Sequence, residues 1–169
     1  MLNFVAKFPS PQNWLGNLDK IGMRLPIPLQ QLKEKLIQDN LLTPERFDVL
    51  TAEAERKEQN LIDLLVSEGI ADIAYLNSFV AASLGVELAN LSRRPIDEQA
   101  LKLLSEEIAR QRRVIVFNRE ADGALDVAAA DPSDLETIEF LKQHLKAKIR
   151  PFYATPEDLQ RGFSVYGLE

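Results

Sequence analysis

A short pattern of helix end, tight turn and new helix start occurs twice in this chain of 169 residues, at an offset of 29 residues. Segment 36–43 (Leu-Ile-Gln-Asp-Asn-Leu-Leu-Thr) aligns with segment 65–72 (Leu-Val-Ser-Glu-Gly-Ile-Ala-Asp). Further along, Phe47 of the first copy corresponds to Leu76 of the second. A repeat of this length indicates a helical pair used twice, because stacked pairs share the apolar surface that one pair cannot bury alone.

The turn residues of the two copies predict how each helix ends and how the next one begins. Asn40 and Gly69 occupy equivalent positions, and both residue types tolerate the left-handed conformation that closes a helix. Thr43 and Asp72 follow them, and their side-chain oxygens suit the cap position at a helix start. Residues 29–85 are therefore predicted to form a small all-helical subdomain.

Residues 86–169 predict a second subdomain of the α+β class, with a small mixed or antiparallel sheet. The three predicted strands span residues 112–117, 124–130 and 148–153. The Asp-Gly pair at Asp122 and Gly123 is a strong signal for a hairpin between the first two strands. Pro151 cannot donate a hydrogen bond to a neighbouring strand, so the third strand is predicted to lie at an edge or to be bulged there.

Helical patterns flank these strands. One helix is expected over residues 96–109, and another is expected to start with Asp131 as its cap and with Leu135 on its inner face. A last helix opens at Thr155, where a proline and two acidic residues follow the cap. The predicted helices lie on one side of the sheet.

Residues 1–28 are predicted to form an N-terminal extension. Four prolines occur in this stretch, and each fixes its own backbone angle and disfavours a helix immediately before it. The aromatic and apolar residues between them are expected to pack on the body of the protein or to dock a partner.

The composition limits the chemistry available to the chain. There is no cysteine and His144 is the only histidine, so disulfides, thiolate sites and multi-histidine zinc sites are excluded within one chain. Neither a phosphate-binding loop nor a nucleophile elbow occurs in the sequence. The formal net charge of −6 argues against nucleic-acid binding, which requires a basic face. We therefore predict no catalytic residue, no metal site and no cofactor.

The hydropathy pattern predicts a cytoplasmic protein without direct membrane insertion. No apolar run approaches the roughly 18 residues that a membrane-spanning helix needs. The first ten residues also lack the apolar stretch of a secretory signal.

The segment Leu-Asp-Val-Ala-Ala-Ala-Asp-Pro at 125–132, together with the repeat, resembles the N-terminal domain of the assembly ATPases of type II secretion and type IV pili. The resemblance covers about residues 29–166. The motor domain of such ATPases carries a Walker motif, which is absent here. The resemblance therefore implies a non-catalytic chain, either the N-terminal piece of such an ATPase or a stand-alone regulator of the same machinery.

Some members of this family bind cyclic di-GMP through two tandem copies of a pattern with the same offset. Its arginine, glycine and final glutamine fall here on Gln31 and Asn60, on Lys33 and Ile62, and on Ala54 and Ser83. Arginine supplies a planar charged fork, and glycine permits close backbone approach. We therefore expect the helical scaffold to be retained and the nucleotide site to be lost. A regulatory domain that still binds cyclic di-GMP is the alternative.

The resemblance also implies partners. The α+β half is expected to dock on the cytoplasmic domain of an inner-membrane platform protein, which would hold the chain peripheral to that membrane. Further expected partners are a C-terminal ATPase domain of its own and a hexameric assembly. Arg110, Arg112 and Arg113 are the candidate partner-binding residues. The alternative for this cluster is a solvated helix end, where cations oppose the negative end of the helix dipole.

Overall fold

The computed structural model of the chain describes residues 25–167, and the chain divides into two units between Leu76 and Asn77. The helices are α1 (Leu29–Gln38), α2 (Pro44–Arg56), α3 (Leu61–Ser67), α4 (Ile73–Leu84), α5 (Glu98–Leu101), α6 (Glu106–Arg112), α7 (Leu135–Leu145) and α8 (Pro156–Tyr166). The strands are β1 (Val114–Arg119), β2 (Leu125–Ala129) and β3 (Ile149–Tyr153). Most of the predicted N-terminal extension lies outside the described residues.

The two repeat copies close their first helices in the same way, as the sequence predicts. The backbone N–H of Leu41 donates to the carbonyl of Leu36 at 2.9 Å, and that of Ile70 donates to Leu65 at 3.0 Å. The residues before them, Asn40 and Gly69, have φ angles of 58° and 71°. This is the left-handed helix end that satisfies two of the last carbonyls.

The next helix of each copy also begins at the predicted cap. The Thr43 hydroxyl accepts from the N–H of Arg46 at 3.2 Å, and the Asp72 carboxylate accepts from the N–H of Tyr75 at 2.7 Å. Among the described residues, the buried apolar residues of the first unit are Ile27, Leu32, Leu36, Phe47, Leu50, Ala54, Leu61, Ile62, Leu64, Leu65 and Leu76. The repeat therefore specifies both the turns and the buried stripe of this unit.

The sheet of the second unit is mixed, with β2 in the centre. Strand β1 pairs with β2 in antiparallel fashion, and β3 pairs with β2 in parallel. All five residues of β2 are buried, so both faces of the sheet are covered. Ile138 and Leu141 of α7 lie in one apolar cluster and Leu159 of α8 lies in the other. The prediction of helices on one side alone was wrong, because β2 is buried on both of its faces and α7 and α8 belong to different apolar clusters.

Both outer strands of this sheet contact flanking segments through backbone hydrogen bonds. The pairing of β1 is interrupted by a bulge between Val116 and Asn118. The intervening Phe117 accepts a hydrogen bond from the N–H of Asp97 at 2.9 Å. On the other side, Leu88 forms an isolated parallel bridge to Tyr153 of β3. The prediction that β3 lies at an edge of the three-stranded sheet is confirmed.

Three local predictions in this unit were wrong. The helix expected over 96–109 is divided into α5 and α6, because Ser105 accepts the N–H of Ile108 and starts a new helix. The cap of α7 is Asp134 and not Asp131, which leaves Leu135 at the helix start with 74% of its surface exposed. Strand β1 begins at Val114, since the two arginines before it belong to the end of α6.

Helix α8 is held at both ends by polar contacts. At its start, Thr155 and Asp158 form a capping box, and the second oxygen of the buried Asp158 carboxylate accepts the N–H of Leu91 at 2.9 Å. At its end, the Tyr166 hydroxyl lies 3.1 Å from the carbonyl of Leu101 and 2.9 Å from that of Leu104. These contacts place α8 firmly against the sheet and against the break between α5 and α6.

The close approach of α8 to β1 depends on Gly162. A Cβ atom added there would lie 2.6 Å from Cγ1 of Ile115, which is fully buried. We predict that Gly162→Ala lowers the free energy of unfolding by about 1–3 kcal/mol, because the added methyl overpacks the interface. Urea denaturation measures this loss. Gly167→Ala is the matched control, since its nearest atom would lie 3.6 Å away; equal stability of the two variants would contradict the prediction.

Candidate functional site

A surface groove of about 360 Å³ lies between helices α6 and α8 of the second unit. Its lining residues are Arg110, Arg113, Pro156, Leu159, Gln160, Phe163 and Ser164. We call this the α6–α8 groove. Its two charged lining residues are both arginines, and its apolar residues come from α8. The groove thus combines positive charge with apolar surface on a chain whose formal net charge is −6.

Arg110 forms one wall of the α6–α8 groove. Its guanidinium lies 4.7 Å from the centre of the Phe163 ring, a distance at which a cation is attracted to the aromatic face. The same guanidinium forms an ion pair with Glu106, one helical turn earlier, at 2.9 Å. These two contacts therefore hold the planar guanidinium of Arg110 in place and partly neutralise its charge.

Arg113 lies at the end of α6, where the chain turns into β1. Its φ angle is 57°, and its backbone N–H donates to the carbonyl of Ala109. This left-handed conformation reverses the chain direction at the helix end. The Arg113 side chain therefore extends from the turn between α6 and β1, and it lines the groove beside α8.

Arg112, the third predicted partner-binding residue, makes its contacts with α7. Its guanidinium lies 4.4 Å from the centre of the Phe140 ring and 3.4 Å from the carboxylate of Glu136. Its side chain is 27% exposed. The structure thus brings Arg110 and Arg113 together in one groove and places Arg112 in a separate contact.

Three of the six positions aligned with the cyclic di-GMP pattern are engaged in the helical scaffold. The Asn60 side chain caps α3 by accepting the N–H groups of Ile62 and Asp63 at 2.8 and 3.3 Å. Ile62 and Ala54 are buried in the core. These side chains contribute to folding, and an arginine at position 60 would remove the cap.

The other three positions lie nearer the surface. Gln31 and Ser83 are exposed. The Lys33 amine forms an ion pair with Asp48 of α2 at 2.8 Å, and the same amine lies 6.0 Å from the centre of the Phe47 ring. The two copies also differ in their helix starts, since Gln31 lies inside α1 whereas Asn60 precedes α3.

A second polar cluster lies where β1, β2 and β3 meet near the hairpin. Asp126 is buried, and its carboxylate accepts from Asn118 at 3.0 Å and lies 3.4 Å from Nε of Arg150. Glu120 accepts from Asn118 at 3.1 Å and also lies 3.4 Å from Arg150. A hydrogen bond to Asp126, together with its negative charge, raises the pKa of Glu120 above the ordinary value of 4.5. We call these four residues the carboxylate cluster.

Other candidate chemistries find little support in the part of the chain that the structure describes. Over residues 25–167, there is no grouping of acidic, histidine or cysteine side chains that could hold a metal ion. Within the same range, no helix has the length and apolar character needed to cross a membrane. His144 is exposed and stacks on Phe140 of its own helix, with ring centres 5.2 Å apart.

The α8 side of the groove was not predicted from the sequence. Phe163 packs against both apolar clusters of the second unit and also lines the groove. The amphipathic pattern of α8 indicates which side of the helix is buried. It does not indicate that α8 lies beside α6, because that depends on how both helices pack on the sheet. The groove is assembled by tertiary structure from distant segments.

The chain therefore has the architecture of a small two-part domain, in which a tandem helical repeat precedes an α+β unit. Residues 84–167 match the MshEN domain model. The chain is 29% identical to the solved structure described as MshE with cdg (cyclic di-GMP), with a TM-score of 0.61 over 80% of this chain and 97% of that one.

Two further comparisons agree. The chain is 28% identical over 139 residues to the type IV pilus assembly ATPase PilB of Myxococcus xanthus (strain DK1622), which covers 82% of this chain. It spans only 24% of the length of that relative. The N-terminal domain of XpsE shares the fold, with a TM-score of 0.52 at 18% identity over 84% of this chain and 96% of that one. The predicted resemblance to N-terminal domains of secretion and pilus ATPases is confirmed.

The carboxylate cluster yields a pH prediction. Because the folded-state pKa of Glu120 is raised, the stabilising contribution of its protonated form is present below pH 4.5 and is lost as the pH rises through the raised value. Glu120→Gln keeps a donor toward Asp126 at every pH. We predict that the melting temperature of the variant, relative to the wild type, increases between pH 4.5 and pH 7.

Glu139→Gln is the matched control for this experiment, since Glu139 forms only an exposed pair with Lys142 among the contacts that the structure gives it. Thermal denaturation across the pH range provides the measurement. A melting-temperature difference for Glu120→Gln that stays constant with pH would contradict the prediction.

Proposed function

We propose that this chain is a non-catalytic interaction domain of a secretion or pilus assembly ATPase. In this role it docks the motor to the cytoplasmic domain of an inner-membrane platform protein. The chain acts in the cytoplasm and reaches the membrane through that partner. Its own C-terminal ATPase domain and a hexameric assembly are further proposed partners.

The α6–α8 groove is the observation that carries this proposal. It lies in the MshEN half of the chain, and it presents Arg110 and Arg113 beside the apolar surface of α8. Mixed charged and apolar surfaces with a central arginine are typical of sites where a few residues supply most of the binding energy. The groove therefore offers a docking point that needs no bound nucleotide.

A regulatory domain that binds cyclic di-GMP is the second candidate function. One observation favours it: the MshE structure described with cdg covers 80% of this chain. Against it stand the six degenerate positions, of which Asn60 caps a helix while Ile62 and Ala54 are buried. Neither buried residue is available to contact a ligand, so we favour the docking role.

Capture of the platform protein's cytoplasmic domain tests the docking role. We predict that the wild-type chain retains this domain and that Arg113→Glu lowers its affinity about tenfold, the effect of losing one charged contact. Arg112→Glu is the charge-matched control, because its guanidinium packs on Phe140 outside the groove. Melting temperatures of both variants report on folding. Equal retention by all three proteins would remove the arginine cluster from the proposal.

Calorimetric titration with cyclic di-GMP tests the second candidate. We predict no binding in the micromolar range, since the arginine and glycine positions of both repeat copies carry other residues. The MshE domain solved with cdg serves as the positive control. Micromolar or tighter affinity for this chain would show that the scaffold binds the nucleotide through other side chains.

A further inference from the structure

We propose that the two repeat copies exchange between molecules, so that the first copy (α1 and α2) of one chain packs on the second copy (α3 and α4) of another. The partner in this contact is therefore a second molecule of the same chain. The swapped dimer reuses the contacts that close the monomer. This proposal goes beyond the docking role and does not depend on it.

The polar contacts between the two copies are self-complementary. Arg46 of the first copy pairs with Glu68 of the second at 2.8 Å. The Asp39 carboxylate of the first copy accepts a hydrogen bond from the Tyr75 hydroxyl of the second. At the repeat offset of 29 residues, Asp39 is equivalent to Glu68, and Arg46 is equivalent to Tyr75. Each copy therefore offers the same acidic position and the same donor position to the other, as in the interface of a twofold homodimer.

The two polar contacts, which we call the copy junction, keep their donor and acceptor roles at neutral pH. Burial, together with the hydrogen bond to Asp39, raises the pKa of Tyr75 to about 12, so its hydroxyl retains the proton that it donates. The hydrogen bond from Tyr75 and the neighbouring Lys35 lower the pKa of Asp39, so this acceptor stays ionised. An incoming copy from a second molecule would meet the same charged and hydrogen-bonding groups.

The apolar contacts follow the same equivalence. Three buried positions of the first copy recur as buried positions of the second, and the pairs are Leu32 with Leu61, Leu36 with Leu65, and Phe47 with Leu76. Exchange between molecules removes the same apolar surface from water as the closed monomer does. The balance between monomer and dimer is therefore set mainly by the linker that joins the copies.

That linker, residues 57–60 between α2 and α3, is short and strained. Glu58 has a φ angle of 51°, and the N–H of Gln59 donates to the carbonyl of Ala54 at 2.8 Å. This is the same left-handed helix end that Asn40 and Gly69 form, but glutamate lacks their tolerance for it. Opening the linker releases the strain, and short strained loops favour exchange.

Mixing two variants with complementary charges tests the exchange on the full chain. Arg46→Glu and Glu68→Arg each place like charges at the copy junction of the closed monomer. Both native side chains are partly exposed, so each variant is expected to fold. In a swapped heterodimer, one junction carries the reversed ion pair and the other carries the original pair. We expect the association constant of the mixture to exceed that of either variant alone about tenfold, measured by native mass spectrometry after warming and cooling.

Lys33→Asp and Asp48→Lys are the matched control pair. These two residues also form an ion pair at 2.8 Å, but both belong to the first copy, which the exchange leaves intact. Mixing cannot restore this pair in a swapped dimer, so we expect no enrichment of the heterodimer. Equal enrichment for the two sets of variants would show that surface charge drives the association, and the proposal would fall.

The linker supplies a second test. Glu58→Gly should lower the association constant of the otherwise wild-type chain about tenfold, because glycine adopts the closed conformation without strain. Lys146→Gly is the control, since Lys146 has the same φ angle of 51° at the end of α7 in the second unit. It should leave the association constant unchanged. Equal association of Glu58→Gly and the wild type would contradict the release of strain at the linker.

Dilution separates exchange from an ordinary surface contact. A swapped dimer separates only when the copies unpack, so it should persist after dilution into high salt for as long as unfolding takes. Dissociation within the mixing time would assign the dimer to a surface contact. Absence of the heterodimer from a millimolar mixture of Arg46→Glu and Glu68→Arg would likewise overturn the proposal.

Discussion

The buried carboxylate of Asp158 is the contact on which the α+β unit depends most. One oxygen accepts the N–H of Leu91 and the other accepts the N–H of Thr155. A buried carboxylate is tolerated only when hydrogen bonds replace its water, so both donors must be in place. The contact joins the start of the last helix to a loop far back in the sequence, and it closes the second unit around its sheet.

Fixing α8 in this way also creates the groove. Helix α8 lies close enough to β1 that Gly162 meets the Ile115 side chain, and its far end is bonded to the carbonyls of Leu101 and Leu104. Helix α6 starts directly after that break, at the Ser105 cap. The gap left between α6 and α8 is therefore set by packing on the sheet and not by either helix alone.

The conformational and capping preferences of single turn residues made the helix ends and starts of the repeat predictable. Asn40, Gly69, Thr43 and Asp72 each have a local preference strong enough to fix a helix end or start, and all four adopt it. The α+β unit was less predictable because two local signals competed. Both Asp131 and Asp134 are good caps, and the structure uses Asp134 to start α7 while Asp131 accepts the N–H of Ser133 in the preceding turn.

The long-range features of the fold could not be predicted from the sequence, for a different reason. The apolar period continues across Ser105 and favours one helix, whereas Ser105 followed by Glu106 and Glu107 is a local signal for a new helix start. The second face of the sheet is covered by α8 and by the segment around Leu91, and the groove joins residues from α6 and α8. Which apolar helix faces pack together is determined by the tertiary fold and cannot be deduced from local sequence. The arginine cluster, in contrast, is evident in the sequence as a run of positive charge.

The flanking contacts of the sheet have a consequence for how any protein can recognise this half of the molecule. Phe117 on one outer strand accepts from Asp97, and Tyr153 on the other bonds with Glu87 and Ala89. A partner that extended the sheet with a strand of its own would first have to displace these segments. Strand addition, a common route to affinity through the main chain, is therefore disfavoured. A protein that bound this half would have to contact its side chains, whose identity can change while the backbone stays the same.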